Sequence, residues 1–361
     1  MVIETAPAEP WISPSAPQEL RAQMRRPMPL EGPLEDAFGR RIHNLRVSLI
    51  DRCNFRCTYC MPADGLQWLP RDEILTFDEI ERLVRLATSL GIEEIRLTGG
   101  EPTLRPELPE LIARLTPIPG LKSLALTTNG FLLGKLAPDL AAGGLTRINV
   151  SLDTLDARKF ADITRRDAIE EVLSGLEALE QVPSIHPVKV NAVAVRGFTS
   201  ADDILAFAKL ARRKPYVIRF IEFMPLDADG HWDRMQVLSG DEIKQLIEPV
   251  YPLEPVQVAP SSTARVYRFA DGHGEMGFVN PVSHPFCAAC DRIRLTADGQ
   301  LRTCLFSIDE TDLRGPMRIG ASDSELELLL RHAIWRKELK HHINEGPAFK
   351  RASRSMSQIG G

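Results

Sequence analysis

The chain has 361 residues, 43% hydrophobic and 26% charged, enough for two domains and a substantial core. That composition excludes wholesale disorder and collagen-like or mucin-like chains, and no apolar run approaches the roughly 18 residues of a membrane helix. Forty-four Lys and Arg against 49 Asp and Glu leave a net charge of −5. Nucleic-acid binding through a broad basic face is therefore not expected, and an anionic ligand would need a local basic pocket.

The first 36 residues carry seven of the 27 prolines and no periodic apolar face. Residues 1–37 are thus expected to form a disordered, dispensable extension. Glu4, Glu9 and Glu19 argue against a transit peptide, and no apolar core follows a basic start as in a secretory signal. From residue 42, β-rich runs at about 44–50, 93–98, 122–128, 146–152, 188–195 and 216–223 alternate with helical patterns. The helical patterns cover about 77–90, 108–115, 132–142, 168–180 and 201–212. In the first of them Ile80, Leu83, Val84, Ala87 and Leu90 share a face, and Thr76 with Glu79 predicts a capping box. Six strand–helix units imply an α/β fold with a parallel sheet and right-handed crossovers. Six is short of the eight of a closed barrel, so residues 38–250 are expected to form an incomplete, TIM-like (βα)₆ barrel.

After residue 250 the pattern changes. Two β-hairpins are predicted, Arg265–Phe269 with Met276–Asn280 and Ile293–Thr296 with Gln300–Leu305, then an amphipathic helix from Asp323 to Ile343. This C-terminal α+β region, residues 251–361, is expected to cover the open side of the barrel.

The six cysteines fall in two groups of three: Cys53, Cys57, Cys60 and Cys287, Cys290, Cys304. A secreted disulfide framework would spread them through a smaller chain, so ligation of a metal or cluster in a reducing compartment, the cytoplasm, is expected. In the C-x₃-C-x₂-C loop after the first strand, three thiolates can hold three irons of a [4Fe–4S] cube. The fourth iron then stays open to a small chelating molecule. A zinc knuckle is the alternative, without an obvious fourth ligand nearby. In the second group, a turn at Asp298-Gly299 carries Cys304 back to about Ile293, within reach of Cys290. Spacing there leaves open a cluster or a zinc Cys₃His site completed by His284.

Arg292 and Arg294, two apart on a strand, point to one face, and their planar forks suit an anion. Lys189 lies between Val188 and Val190 on an apolar strand and must face a ligand or a partner charge. Gly99-Gly100 would let a ligand approach the backbone, although an ordinary βα turn could use the same residues. Ser151 and Met224 end strands on the same face, with core packing the alternative for Met224. His341-His342 reads as a helix surface, and Arg212-Arg213-Lys214 as a solvated helix end.

Longer motifs carry a resemblance. They are Asp51-Arg52-Cys53-Asn54-Phe55-Arg56-Cys57, Arg96-Leu-Thr-Gly99-Gly100-Glu101-Pro102, Thr127-Thr128-Asn129-Gly130 and Ile148-Asn-Val-Ser151-Leu-Asp153. Arg219-Phe-Ile-Glu222-Phe-Met224-Pro225, Phe286-Cys287-Ala-Ala-Cys290-Asp-Arg-Ile-Arg294 and Met356-Ser-Gln-Ile-Gly360-Gly361 complete them. From about residue 38 onward the chain resembles the radical S-adenosylmethionine superfamily and, within it, the GTP 3′,8-cyclase family. The resemblance implies two [4Fe–4S] clusters on the six cysteines, and S-adenosylmethionine bound by Tyr59, Gly100, Ser151 and Met224. It implies GTP held by Arg46, Arg96, Thr127, Lys189, Arg292 and Arg294. Arg292, Arg294, Gly360 and Gly361 would be catalytic, the two glycines on a tail that Arg351 and Arg354 steer into the site. The implied product is (8S)-3′,8-cyclo-7,8-dihydroguanosine 5′-triphosphate, the first step of molybdenum-cofactor biosynthesis. An external one-electron reductant and a downstream cyclic pyranopterin monophosphate synthase are implied partners, and a homodimer is compatible with the sequence. The rival readings are another radical enzyme with an auxiliary cluster and a non-catalytic zinc-binding protein on a barrel scaffold.

Overall fold

Six parallel strands lie side by side in chain order in the computed structural model, which describes residues 27–227, 229–346, 349–351 and 354–360. They are β1 (Asn44–Ser48), β2 (Glu94–Thr98), β3 (Ser123–Thr128), β4 (Arg147–Ser151), β5 (Val188–Ala194) and β6 (Tyr216–Glu222). The helices between them are α1 (Phe77–Ser89), α2 (Leu108–Leu115), α3 (Leu133–Ala142), α4 (Ala157–Thr164), α5 (Ile169–Glu180) and α6 (Ala201–Arg213). The predicted strands and helices match these closely. Thr76 caps α1 as expected, its hydroxyl accepting from Glu79 N while the Glu79 carboxylate accepts from Thr76 N. Helix α4 was not foreseen, being too short to show a periodic face; Asp156 caps it and it buries Phe160 and Ile163.

The C-terminal region adds α7 (Gly240–Ile247), β7 (Leu253–Val256), β8 (Arg265–Phe269), β9 (Glu275–Val279), β10 (Arg292–Leu295), β11 (Gln300–Arg302) and β12 (Thr311–Asp312). Helices α8 (Arg314–Arg318), α9 (Asp323–Trp335) and α10 (Met356–Ile359) follow. Both predicted hairpins are present, β8 with β9 and β10 with β11. β10 pairs parallel with β1 and β9 pairs parallel with β6, so the hairpins join the sheet at both edges of the six-stranded unit. The order is β12-β11-β10-β1-β2-β3-β4-β5-β6-β9-β8-β7, an open sheet with eight parallel strands in a row.

Strand alternation places apolar residues outward against the helices and polar ones inward. On β5, Val188, Val190, Ala192 and Ala194 are buried in the outer core, while Lys189, Asn191 and Val193 line the interior. Val47, Leu97, Leu126, Val150 and Ile218 repeat the outward pattern on the other strands. No helix among the described residues is long and apolar enough to cross a membrane.

Two expectations need correction. The segment just before β1 is not loose: Leu34 and Ala37 are fully buried, and Leu34 N donates to Leu90 O at 2.8 Å. Asp36 and Arg40 form a buried ion pair at 2.5 Å. The proline-rich extension is therefore shorter than 37 residues, and its first 26 lie outside the described ones. Helix α9 stops at Trp335 rather than Ile343 because Lys337 turns inward and donates from Nζ to Arg292 O at 2.9 Å. Replacing Leu34 by Ala should cost about 2–5 kcal/mol in denaturant unfolding, as for other buried leucines. Equal unfolding midpoints for the two proteins would place this segment outside the fold.

Candidate active site

The parallel strands curl around a cavity of about 1000 Å³, lined from β1 through β6 and from β9 and β10. All six cysteines face it, together with Tyr59, Gly100, Ser151, Met224, Arg46, Arg96, Thr127, Lys189, Arg292 and Arg294. The chain thus brings sixteen of its eighteen predicted site residues to one cavity. Gly360 lies against the ends of β1 and β2, and Gly361 lies outside the described residues.

At the C-terminal end of β1 the three thiols of Cys53, Cys57 and Cys60 face one another without a disulfide. Burial, then the Glu101 carboxylate, pushes Cys53 up to about 11. Burial and Cys53 push Cys60 up to about 12, and Cys57 rises well above the ordinary thiol range through burial and Asp153. Such a site disfavours free thiolates and favours the protonated thiols until a cation offsets their charge. Among the described residues no three His, Cys, Asp or Glu side chains stand close enough for a single metal ion. The separate irons of a cube take thiolates that stand farther apart, and three soft donors with no fourth suit such a cluster.

Two buried carboxylates brace this loop. Glu101 accepts from Thr128 Oγ1 (2.6 Å), Thr103 Oγ1 (2.6 Å) and Asn129 N (2.7 Å), joining the loops after β2 and β3. Asn129 then donates to Asn54 Oδ1 at 2.7 Å, within the cysteine loop. Asp153 accepts from Tyr59 Oη at 2.7 Å and from Val193 N at 2.8 Å, and burial raises its carboxyl to about 6. The glycine pair has a packing role of its own. A Cβ on Gly99 would meet Ile50 O, and one on Gly100 would meet the carbonyl oxygens of Arg52 and Asp51. It is the chain's own approach, sealed by Gly100 N donating to Ile50 O at 2.6 Å, that requires glycine here.

The second group differs at one of its three cysteines. Burial raises the thiols of Cys287 and Cys304, the latter to about 11. On Cys290 burial is again the largest influence, yet Lys337, Arg292 and Arg40 together bring it down to about 7. Lys337 is 2% exposed, and its Nζ also bonds Thr303 O. Arg40 bridges this loop to the next, donating to Cys287 O (2.7 Å), Leu339 O (2.9 Å) and Glu338 O (2.6 Å). His284 takes no part, since its Nε2 pairs with Asp241 Oδ2 at 2.7 Å on the surface. His341 is not a helix surface; it lines the cavity, contacts Pro281 O at 2.9 Å and packs edge-on against Phe306. His342 pairs with Glu345 at 2.6 Å. The expected solvated run also differs: Arg212 pairs with Asp271, and Lys214 lines the cavity while pairing with Glu180.

Between the cysteine groups the lumen is cationic. Strand register sets Arg294, Arg46 and Arg96 level on β10, β1 and β2. Burial and neighbouring arginine charge lower Arg46 and Arg96 to about 9, and burial with Arg147 lowers Arg219 to about 10. Lys189 falls to about 7 through burial and the charges of Arg219, Arg147 and Arg96. Arg46 Nε and Arg292 Nη2 are buried donors without a hydrogen-bond partner among the described residues. Arg292 otherwise donates to Ser261 O at 2.8 Å and lies 3.5 Å from Asp291.

The C-terminal segment reaches this lumen. Arg354 grips Asp298 through two bonds of 2.9 and 2.8 Å and Glu310 at 2.8 Å, while Arg351 meets Asp227 at 3.2 Å. Ser357 N–H donates to the Cys60 thiol. Gly360, at φ +72°, tucks between Ser48 and Thr98, and its carbonyl accepts from Arg294 Nη1. Sequence reasoning had no role for Arg40, Lys337, Glu101, Asp153, Asn149, Asn191 or Arg219. Four of them, Glu101, Asn149, Asp153 and Arg219, stood inside quoted motifs; for Arg40, Lys337 and Asn191 only contacts between distant segments supply the signal.

Comparison with known proteins agrees with this geometry. Residues 47–211 match the Radical SAM superfamily, and residues 216–343 match Molybdenum Cofactor Synthesis C. A GTP 3′,8-cyclase of Mycolicibacterium smegmatis is 47% identical over 93% of this chain and 94% of its own. One from Moorella thermoacetica is 45% identical over 91% of this chain and 100% of its own. The structure of Streptococcus suis SuiB bound to S-adenosylmethionine has a TM-score of 0.54 at 15% identity, over 76% of this chain. The match spans only 60% of that longer chain, and at this identity it shows a shared fold alone. Radical S-adenosylmethionine proteins carry a [4Fe–4S] cluster and S-adenosylmethionine, in keeping with the open triad of Cys53, Cys57 and Cys60. With two relatives near half identity along almost their full length, the chain belongs to the GTP 3′,8-cyclase family of the radical S-adenosylmethionine superfamily.

Proposed function

We propose that the cavity holds GTP between the two cysteine groups, its triphosphate on the lumen cations and its purine toward Cys287, Cys290 and Cys304. The family's reaction converts GTP to (8S)-3′,8-cyclo-7,8-dihydroguanosine 5′-triphosphate in the first step of molybdenum-cofactor biosynthesis. The observation that carries the placement is the pair of buried guanidinium atoms, Arg46 Nε and Arg292 Nη2, that find no hydrogen-bond partner among the described residues. A triphosphate supplies what they lack.

In this reading Tyr59, Gly100, Ser151 and Met224 hold S-adenosylmethionine beside Cys53, Cys57 and Cys60, and Asp153 fixes the Tyr59 hydroxyl. A cluster held there would supply the one electron that cleaves S-adenosylmethionine and so allows hydrogen removal from ribose C3′ and closure of C3′ onto C8; a second electron, from the external reductant, and a proton would complete the dihydro product. Arg46, Arg96, Lys189, Arg292 and Arg294 bind and orient the phosphates, Thr127 lies on the same wall, and the walls exclude water. Cys287, Cys290 and Cys304 hold a second [4Fe–4S] cluster, with Lys337 and Arg40 offsetting thiolate charge. A cytoplasmic setting, an external one-electron reductant, a homodimer and a cyclic pyranopterin monophosphate synthase acting on the product complete the proposal.

The direct test is anaerobic turnover with reductant, S-adenosylmethionine and GTP, followed by mass analysis for the cyclised nucleotide. Cys57→Ala should abolish cleavage of S-adenosylmethionine. Cys304→Ala should keep the iron of the first site while GTP conversion collapses; unimpaired cyclisation in that variant would exclude a catalytic second cluster.

Lys189 gives a pH signature. Its amine, held near 7 when the site is empty of phosphate, regains a proton when a triphosphate arrives, so binding above pH 7 takes up a proton. GTP affinity should therefore weaken as pH rises from about 7 to 9. Calorimetric enthalpies at pH 8 should depend on the buffer's ionisation heat. The same proton uptake in Lys189→Met would assign it elsewhere.

Gly360→Ala places a methyl group on Ser48 Oγ and Thr98 Oγ1 and demands a left-handed alanine. We expect turnover to fall on the order of a hundredfold, as for other small displacements in a reacting site. Iron content and thermal stability should hold. Full-rate turnover in this variant would remove the segment from the reaction.

A further inference from the structure

Buried guanidinium groups elsewhere in this protein are matched with carboxylates. Arg40 meets Asp36 at 2.5 Å, Arg331 meets Glu327 at 2.7 Å, and Arg302 meets Glu310. The lumen breaks that habit. Among the described residues Arg96 and Arg219 make no ion pair, and the acceptors that hold them are neutral amides. Asn191 Oδ1 accepts from both Arg219 Nε at 2.9 Å and Nη2 at 2.7 Å, one neutral oxygen fixing two nitrogens of the guanidinium. With its carboxamide oxygen turned to the arginines, Asn149 accepts from Arg96 Nη1 at 2.6 Å and Arg219 Nη2 at 3.1 Å. Register explains the arrangement: Asn191 on β5 lies level with Arg219 on β6, and Asn149 on β4 lies level with Lys189 on β5. Glu94, a lumen carboxylate whose charge reaches Arg96, bonds instead to Asn44 at 2.9 Å and lies 3.6 Å from Arg147.

We propose that Asn149 and Asn191 are positioning residues for phosphate recognition: their neutral oxygens aim Arg96 and Arg219 into the lumen without cancelling their charge, so the cavity selects nucleotides by phosphate count. An aspartate of the same shape would aim the arginines at least as well. It would also place a negative charge where the anionic ligand must come. The choice of amide over carboxylate separates orientation from neutralisation, which a guanidinium held by Asp or Glu cannot do. This rests on the reading of the lumen as the triphosphate site.

The test compares anaerobic, cluster-loaded wild type with Asn191→Asp and Asn149→Asp, titrating GTP, GDP and GMP by calorimetry at several salt concentrations. Each variant should lose GTP affinity by about tenfold or more, roughly 1.4 kcal/mol. GMP should lose less, so the preference for GTP over GMP contracts and the salt dependence of GTP binding flattens. Thermal stability should be equal or higher, since each new carboxylate has an arginine partner. An unchanged GTP-to-GMP ratio in both variants would overturn the inference. A purely structural role would shift all three nucleotides together, and loss of the fold in both variants would contradict the geometry on which the inference stands. Wild type without any preference for GTP over GMP would instead overturn the triphosphate reading itself.

Discussion

Repulsion among the buried cations of the lumen is the constraint around which the rest of the structure is arranged. Neighbouring strands stand about 4.8 Å apart, and level like charges at that spacing repel by roughly 3 kcal/mol per pair at an effective dielectric near 20. Arg294, Arg46 and Arg96 occupy such a level row, with Arg219 and Lys189 beyond it. The hydrogen bonds they make, Arg294 to Gly360 O and Arg219 to Asn191 Oδ1, go to neutral oxygens and leave the charges in place. The opposing contribution comes from the outer faces of the same strands, where Val47, Leu97, Leu126, Val150, Val190 and Ile218 are wholly buried beneath the helices. A strand is thus apolar where it stabilises the fold and cationic where it binds, with a period of two separating the tasks.

The same division sets the two cysteine groups apart. Glu101 and Asp153 stand near Cys53 and Cys57 and raise the cost of a thiolate there, so the site ionises only together with a cationic guest. Lys337, Arg292 and Arg40 surround Cys290 and favour its thiolate before anything binds. Two triads of one residue type are therefore chemically distinct, through second neighbours that come from other segments of the chain.

What the sequence made legible follows from this. Periodicity exposed β5, because Val188, Val190 and Ala192 alternate with Lys189 and Asn191, and it exposed Lys189 as an inward cation. Contiguous spacing exposed both cysteine groups and the Arg292–Arg294 pair. Asn191 stayed hidden because its meaning depends on Arg219, twenty-eight residues away and level with it only once β5 and β6 pair. Arg40 and Lys337 stayed hidden because each acts on cysteines roughly 250 and 50 residues distant through backbone carbonyls or field, which leave no pattern in a chain. Gly99-Gly100 was visible as a turn, but the atoms that exclude a side chain there, those of Ile50, Asp51 and Arg52, come from a loop about 50 residues earlier in the chain. Hairpin turns told which C-terminal strands pair with each other, not which sheet edge each hairpin would join.

That edge choice determines the geometry of the site. Parallel pairing sets Arg292 level with Asn44 and Arg294 level with Arg46. Cys287 and Cys290 lie just before β10, and the β10–β11 register, Arg294 opposite Arg302, carries Cys304 back toward the same end. Cys53, Cys57 and Cys60 follow the far end of β1. The two cysteine groups therefore sit at opposite ends of one pair of parallel strands. From Asn44 to Ser48 is four steps of about 3.3 Å, roughly 13 Å of strand before the loops add to it. An antiparallel β10 would have brought both groups to one end and closed the space. The parallel edge keeps them apart by about the length of a nucleotide and fills the interval with Arg46, Arg292 and Arg294. A hairpin joining β1 in parallel is thus what converts two cysteine motifs and a set of arginines into a single elongated site.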